Sequence, residues 1–171
     1  NEPEIQENKR LVDETIQSLL PVEHSIQEIN LLYQMMRDYP SRPSKGLRSS
    51  VCLLTCQVYG GTIEKAIITA SSLDLFQNWI LIHDDVEDQS ELRRGGPALH
   101  HKYTIPLAIN AGDALHGKMW SFLYHNRTIL DNQTTLLVIN EFLNMLNETT
   151  EGQHIELSWI HENQWNIKQD G

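Results

Sequence analysis

A long stretch of the sequence, from Thr62 to about Glu87, predicts a helix that is apolar on several of its faces. Thr62 is a residue type that caps helix starts, and Glu64 and Lys65 fall in the first turn. A helix that is apolar all round has to be covered by protein on every side. We therefore expect this helix to lie at the centre of the fold.

The other regular segments show the apolar periodicity of helices rather than the alternation of strands. The predicted helices are Glu4 to Leu20, Ile26 to about Asp38, Gly46 to Tyr59, Pro106 to Arg127, and Asn132 to about Ile160. Prolines predict a loop over Tyr39–Ser44, and Gly95-Gly96-Pro97 predicts a break. The chain of 171 residues is long enough for one domain with a sizeable core. The fold class that follows is an all-α helical bundle with short connections.

The predicted central helix ends in a cluster of carboxylates, Asp84-Asp85-Val86-Glu87-Asp88. Asp84 and Asp88 lie one helical turn apart on the same face, whereas Asp85 points about 100° away. Two carboxylates held that close repel each other unless a cation lies between them. Oxygen ligands that leave room for water or phosphate oxygens suit Mg²⁺. Most acidic clusters are only solvated helix faces, so the neighbouring motifs have to decide between the two interpretations.

Basic residues stand at two places that could serve the same site. Arg93-Arg94 follows the carboxylates, and guanidinium groups match the geometry of phosphate. Lys45-Gly46-Leu47-Arg48 lies at a loop-to-helix boundary, where free N–H groups and the helix dipole favour an anion. Lys45 and Arg48 are three residues apart, so both can reach one phosphate group. Carboxylates, Mg²⁺ and guanidinium groups together predict a site for a diphosphate.

Composition and charge exclude several other classes of function. The formal net charge of -10 argues against general nucleic-acid binding. No apolar run approaches the roughly 20 residues that cross a bilayer, so no transmembrane segment is expected. The acidic N-terminus has no signal-peptide core, and Cys52 and Cys56 have no second Cys/His pair to complete a metal site. Reduced thiols and the missing signal favour a cytoplasmic protein.

The motifs resemble, in order, those of the trans-prenyltransferases, the polyprenyl (geranylgeranyl or farnesyl) diphosphate synthase family. The matching segments are Ser44–Arg48, His83–Asp88, Leu92–His100, Asn110–Leu115 and Glu151–Gln153. The resemblance covers nearly the whole chain. It implies an isoprenoid-synthase-type helical bundle around a deep central cavity, with Mg²⁺ as the cofactor. The implied substrates are isopentenyl diphosphate and an allylic diphosphate.

The resemblance also implies a role for each matching residue. Asp84 and Asp88 correspond to Mg²⁺ ligands that hold the allylic diphosphate, and Asp85 to a weaker ligand or a group behind them. Arg93 corresponds to a contact of the allylic diphosphate, and these four residues form the expected catalytic set. Lys45, Arg48, Gln77 and Arg94 are expected to bind isopentenyl diphosphate, and Gln153 matches the family's glutamine on the opposing helix. Glu156 stands where the family usually has aspartate, so a charged role is expected there rather than direct metal ligation.

Product length is expected to follow from the depth of the cavity below the carboxylates. Trp79 is five residues before Asp84, which is about 7.5 Å along a helix, and Phe76 lies about one turn further. A growing prenyl chain would meet these rings, and Ile80 suits the same apolar wall. A bulky residue at this position resembles the archaeal-type short-chain synthases, which implies geranylgeranyl diphosphate as the product, with farnesyl diphosphate next. The alternative is that Trp79 only packs the core of the bundle.

Two motifs of the family, a second aspartate-rich motif and a Lys-Thr motif, have no counterpart in the sequence. We therefore expect residues 1–171 to form a single partial prenyl-synthase domain that lacks the C-terminal helices. Such a domain exposes an apolar face, which predicts a homodimer or a complementary chain. Two alternative functions stay open, a subunit of a heteromeric prenyl synthase and a terpene cyclase of the same fold. The intact carboxylates argue against a purely regulatory subunit, and Lys45, Arg48 and Arg94 argue against a cyclase.

Overall fold

The structure is a computed structural model that describes the backbone of residues 2–169 and the side chains of residues 2–163. It divides into two compact units, Asn1–Asp131 and Asn132–Gly171. The first unit holds the helices and the hairpin that carry most of the predicted site residues. The second unit is one long helix. The prediction that the chain is a single domain remains a prediction.

Helices dominate both units, and the predicted all-α fold class is confirmed. The first unit contains α1 (Glu2–Leu19), α2 (Gln27–Ser41), α3 (Leu47–Val58), α4 (Ile63–Glu87), β1 (Leu92–Arg93), β2 (Gly96–Pro97), α5 (Leu99–Lys102), α6 (Ile105–His125) and a 3-10 turn (Asn126–Thr128). The second unit is α7 (Asn132–Gln169). The end of α7 lies beyond the predicted limit near Ile160, because the sequence that follows holds no glycine or proline before Gly171.

The predicted central helix, α4, is at the centre of the first unit. It packs most extensively against α6 and also contacts α3 and α1. Its buried residues occupy several faces, for example Ile68, Leu75 and Ile82. Thr62 occupies the N-cap position of α4, as predicted, but its side chain makes no capping hydrogen bond. The N–H of Lys65 bonds to the main-chain carbonyl of Thr62 instead.

The second helix, α2, runs further than the sequence predicted. Tyr39, Pro40 and Ser41 form its last turn instead of a loop. A proline so close to a helix end removes only one bond of the ladder, so the helix continues past it. Arg42 then adopts an extended conformation, as residues before a proline do, and its N–H bonds to the carbonyl of Tyr39 at 3.1 Å.

A short hairpin between α4 and α5 was not predicted. Strands β1 and β2 pair antiparallel, with Leu92 opposite Pro97 and Arg93 opposite Gly96. The two connecting residues, Arg94 and Gly95, both have positive φ, at 48° and 79°. Two consecutive positive φ angles belong to the tight turn that matches the twist of a hairpin. Strands of two residues are too short to show alternation in a sequence.

Helices α4 and α6 are closely packed at Gly112. A Cβ atom placed there would lie 2.9 Å from Cδ2 of His83 and 3.4 Å from Cγ2 of Ile82. Gly117, on the same helix, faces open space. The absence of a side chain at Gly112 therefore leaves room for His83 and Ile82 of α4 at this contact.

We expect Gly112→Ala to lower the free energy of unfolding by about 1–3 kcal/mol, because the added methyl group overpacks this contact. The matched control is Gly117→Ala, which we expect to be neutral or to stabilise by up to about 1 kcal/mol through helix propensity. Urea denaturation followed by circular dichroism measures both. Equal effects of the two variants would contradict close packing at Gly112.

Candidate active site

The first unit contains a cavity of about 540 Å³ that collects most of the predicted basic residues. It is bounded by α1, by the segment between α2 and α3, by α3, by α4 and by the hairpin. Five predicted site residues line it, namely Lys45, Arg48, Gln77, Arg93 and Arg94. Volumes of 300–1,000 Å³ are typical of small-molecule sites. The structure thus brings together residues that lie almost 50 positions apart in sequence.

The first basic motif is shaped by a glycine. Gly46 caps the start of α3 with a φ of +58°, and a Cβ atom there would meet Cγ of Lys9 at 2.8 Å. Both the backbone angle and the close approach of α1 require a residue without a side chain. Lys45 and Arg48 then stand on either side of the helix start and are exposed. Their charges and the N–H groups of the first turn favour an anion at this end of the cavity.

Arg94 is held in place by two acceptors. Its Nη1 donates to the main-chain oxygen of Tyr39 and to Oδ1 of Asn78, both at 3.0 Å. Burial lowers the pKa of Arg94, while the charge of Asp74 acts in the opposite direction. The left-handed backbone at Arg94 is strained for a residue with a side chain, and such strain concentrates at functional sites. The result is a fixed cation at the cavity wall.

One face of α4 forms the floor of the cavity, and sequence reasoning identified only part of it. Asp74, Gln77, Asn78 and Leu81 all line the cavity. They are spaced at i, i+3, i+4 and i+7, which places them on a single helix face. Gln77 was predicted from the resemblance, whereas Asp74 and Asn78 were missed. The available signal was a stripe of polar residues at helical spacing in an otherwise apolar helix.

Asp74 is unusual because it is an acid inside a cavity lined with cations. Burial raises its pKa to about 6, with a further increase from the charge of Asp13 on α1. A hydrogen bond from Ser49 and the charges of Lys9 and Arg94 act in the opposite direction. Near neutral pH the carboxyl of Asp74 can therefore exchange its proton.

The three aspartates at the end of α4 have different environments. Asp84 is half-buried and Asp88 is exposed, whereas Asp85 is fully buried. Asp85 accepts from Nε of Arg93 at 3.0 Å, from Nη2 of Arg93 at 2.5 Å and from the hydroxyl of Tyr39 at 2.6 Å. The structure therefore places Asp85 in a different environment from Asp84 and Asp88, as the helical angle between them predicted.

The residues at this end of α4 fit Mg²⁺. Asp84 and Asp88 supply carboxylate oxygens one turn apart at the negative end of the helix dipole. Burial raises the pKa of Glu87, and the charges of Asp84 and Asp88 raise it further, which shows an accumulation of negative charge that a cation would relieve. Within the described residues no group of three or more metal-ligating side chains occurs. Two carboxylates leave positions for water or phosphate oxygens, as Mg²⁺ prefers.

Trp79 is covered by a ring that the sequence did not indicate. Its indole stacks on the imidazole of His116 from α6, with ring centroids 4.0 Å apart and planes at 6°. Phe76 meets Trp79 edge to face at 5.6 Å, and both rings are buried. Ile80 lies beside them, half-buried. Phe76, Trp79 and Ile80 are outside the lining of the basic cavity, so their role in product length remains a prediction.

Gln153 and Glu156 lie on α7, in the second unit. Gln153 is half-buried and Glu156 is exposed. Their predicted position opposite α4 remains a prediction. Among the described helices, none combines the length and the apolarity that a membrane-spanning helix needs.

Known proteins similar to this chain are prenyl diphosphate synthases. The profile of the polyprenyl synthetase family matches residues 29–170. Geranylgeranyl diphosphate synthase of Sulfolobus acidocaldarius is 30% identical over 132 residues, which are 77% of this chain and 40% of that protein. Geranylgeranyl pyrophosphate synthase of Geoglobus acetivorans is 32% identical over 155 residues, which are 91% of this chain and 47% of that protein.

A solved structure gives the same result for the fold. Geranylgeranyl pyrophosphate synthetase from Pyrococcus horikoshii superposes with a TM-score of 0.82 at 32% identity, over 89% of this chain and 45% of that one. The chain therefore spans about half the length of the relatives that it matches.

We expect the stability difference between the wild type and Asp74→Asn to depend on pH. The pKa of Asp74 in the folded chain, about 6, lies above its ordinary value of 3.8. The protonated form thus contributes stability below pH 4, and this contribution is lost as the pH rises through 6. The shift corresponds to about 2–3 kcal/mol. Urea denaturation of both proteins between pH 4 and pH 7 measures this change, and parallel pH curves would contradict it.

Proposed function

Because the chain belongs to the polyprenyl synthetase family, we propose that it acts as a short-chain trans-prenyl diphosphate synthase. The proposed reaction condenses isopentenyl diphosphate with an allylic diphosphate, and the proposed final product is geranylgeranyl diphosphate. The observation that carries this proposal is the basic cavity beside the acidic end of α4, since Arg93 and Arg94 lie between the two. Relatives named as geranylgeranyl diphosphate synthases support the same final product.

The two regions of the site suit two diphosphates. Asp84 and Asp88 would hold Mg²⁺, which supplies charge neutralisation for the departing diphosphate of the allylic substrate. Arg93 adds a permanent cation at this place. Lys45, Arg48 and Arg94 would bind the diphosphate of the second substrate in the cavity, with Gln77 as a polar contact.

The side chains below the carboxylates would have to protect a reactive carbocation. Loss of the diphosphate leaves an allylic cation, which the double bond of isopentenyl diphosphate attacks before a proton is lost. Water would quench this cation, so the surroundings must be apolar and dry. Phe76 and Trp79 are buried aromatic residues of α4 and precede the carboxylates at the end of this helix. We infer that they limit the length of the prenyl product.

We also infer that the working enzyme contains more protein than the residues described above. Helix α7 carries large apolar side chains that are exposed, among them Leu136, Leu137, Leu143, Ile155, Trp159 and Ile160. Apolar surface of this extent marks an interaction site. A homodimer or a complementary chain would cover it, and we propose a cytoplasmic location for this assembly.

The proposed function is tested with labelled isopentenyl diphosphate, Mg²⁺ and each allylic primer, added to the full chain with and without a complementary chain of the family. Elongated prenyl diphosphate in the presence of both substrates is the expected product. Cyclised hydrocarbon from the allylic substrate alone would contradict the synthase proposal. Failure to elongate any primer under both conditions would also contradict it.

Within that assay we expect Arg48→Ala to raise the KM for isopentenyl diphosphate about 10- to 100-fold. A hydrogen bond to a charged group contributes roughly 1.5–3 kcal/mol, and about 1.4 kcal/mol is a factor of ten. The KM for the allylic substrate should change little. Arg127→Ala is the matched control, because Arg127 is exposed in the 3-10 turn that follows α6 and lies over Tyr124. If Arg48→Ala instead raised the KM for the allylic substrate and left the KM for isopentenyl diphosphate unchanged, Arg48 would bind the allylic diphosphate.

We expect Trp79→Ala to lengthen the product, because it removes a ring that the growing chain would meet. The matched control is Trp79→Phe, which keeps an aromatic ring and should keep most of the wild-type product. Mass spectrometry of the dephosphorylated products measures the distribution of chain lengths. An unchanged distribution in the alanine variant would mean that Trp79 only packs against His116.

A further inference from the structure

Tyr39, at the end of α2, is contacted from several directions. The residue is fully buried. Its hydroxyl donates to Oδ2 of Asp85 at 2.6 Å and accepts from the N–H of Leu99 at 2.9 Å. The guanidinium carbon of Arg42 lies 4.7 Å from the centre of its ring. The main-chain carbonyl of Tyr39 accepts from Nη1 of Arg94 at 3.0 Å. Tyr39 thus joins α2 to α4, to the hairpin and to the start of α5.

The sequence explains why the carbonyl of Tyr39 is available to Arg94. In a continuing helix this carbonyl would accept from the N–H four residues later, and that residue is Pro43, which has no N–H. The N–H of Arg42 reaches the same oxygen at 3.1 Å. A carbonyl has two lone pairs, so Arg94 can occupy the second.

The hydroxyl of Tyr39 fixes the other arginine of the hairpin through Asp85. The single Nε–H of Arg93 is shared between Oδ1 and Oδ2 of Asp85, at 3.0 and 3.1 Å, and Nη2 of Arg93 donates to Oδ1 at 2.5 Å. Such a forked contact sets the plane of a guanidinium group. The Tyr39 hydroxyl holds the carboxylate itself, and the N–H of Leu99 holds the hydroxyl. Arg93 is therefore oriented by a chain of buried hydrogen bonds that begins at α5.

We propose that Tyr39 is a positioning residue that sets both arginines of the hairpin, Arg93 through its hydroxyl and Asp85, and Arg94 through its carbonyl. In this arrangement Asp85 positions Arg93 and is not a ligand of Mg²⁺. The assignment of each arginine to one diphosphate rests on the proposed function. The contacts that position the two arginines do not depend on it.

The two routes can be separated by mutation. Tyr39→Phe removes the hydroxyl and keeps the ring and the carbonyl, so it should loosen Arg93 and leave Arg94 in place. The control is Tyr124→Phe, which removes a hydroxyl from an exposed tyrosine on α6. For the role of Asp85, the pair to compare is Asp85→Asn and Asp88→Asn.

The kinetic result that we expect is a split between the two substrates. Tyr39→Phe should raise the KM for the allylic diphosphate about tenfold, because a charge-assisted contact is weakened. The KM for isopentenyl diphosphate should stay within about twofold on the same basis. Asp85→Asn should also raise the KM for the allylic diphosphate without changing the Mg²⁺ concentration for half-maximal rate. Asp88→Asn should raise that concentration.

Nuclear magnetic resonance tests the contact without any reaction. In the ¹⁵N-labelled full chain, the Nε–H signal of Arg93 is assigned by its loss in Arg93→Lys. We expect this proton to exchange slowly with solvent in the wild type and in Tyr124→Phe. We expect exchange at least about tenfold faster in Tyr39→Phe, because breaking one charge-assisted bond changes an equilibrium by about that factor.

The outcomes distinguish this proposal from the proposed function. If the wild type transfers no prenyl group but Arg93 loses protection in Tyr39→Phe, the function is wrong and the positioning role stands. If the KM for isopentenyl diphosphate rises instead, Arg93 has been assigned to the wrong substrate. Unchanged exchange of Arg93 in Tyr39→Phe would overturn the positioning role. An increased Mg²⁺ requirement in Asp85→Asn, like that in Asp88→Asn, would overturn the role given to Asp85.

Discussion

A carboxylate without any exposure to solvent, that of Asp85, fixes the arrangement around the end of α4. An unpaired charge in such a place is unfavourable by several kcal/mol, so the fold has to bring partners to it. Arg93 supplies the opposite charge and Tyr39 a neutral donor. These partners come from the hairpin and from the end of α2. Their hydrogen bonds to Asp85 therefore hold both elements against α4.

This constraint explains features of the hairpin that otherwise look unfavourable. Arg94 has a left-handed backbone, which is strained for a residue with a Cβ atom. The tight turn that needs this angle lets Arg93 and Arg94 point to different partners, Asp85 for the first and Tyr39 with Asn78 for the second. Adjacent arginines repel each other, and fixed acceptors on two sides keep them apart. The contacts of Arg93 with Asp85 and of Arg94 with Tyr39 and Asn78 thus hold the turn in this conformation.

Local sequence patterns predicted the features that depend on helix geometry. The position of α4, the separation of Asp85 from Asp84 and Asp88, and the gathering of the basic motifs in one cavity followed from spacing and from the resemblance. The end of α2 at Ser41 did not follow from the sequence. Prolines suggest a loop, and the sequence does not show that Pro40 lies in the last turn of the helix. For Gln153 the sequence motif is clear, whereas the predicted position opposite α4 remains a prediction.

The sequence could not predict contacts between side chains that are distant in the chain. The aromatic rings of Phe76, Trp79 and His116 show why. The number of residues between Trp79 and Asp84 gives their distance along the axis of α4. It does not show which residues of other helices contact Trp79. In the structure Trp79 is stacked on His116, and Nε2 of His116 accepts from Nε1 of Trp120 at 2.9 Å. That bond requires an unprotonated Nε2, which agrees with the lowered pKa that burial gives His116. The orientation of His116 is therefore fixed from α6. The aromatic side chains at this depth belong to two helices, α4 and α6, which are closely packed at Gly112.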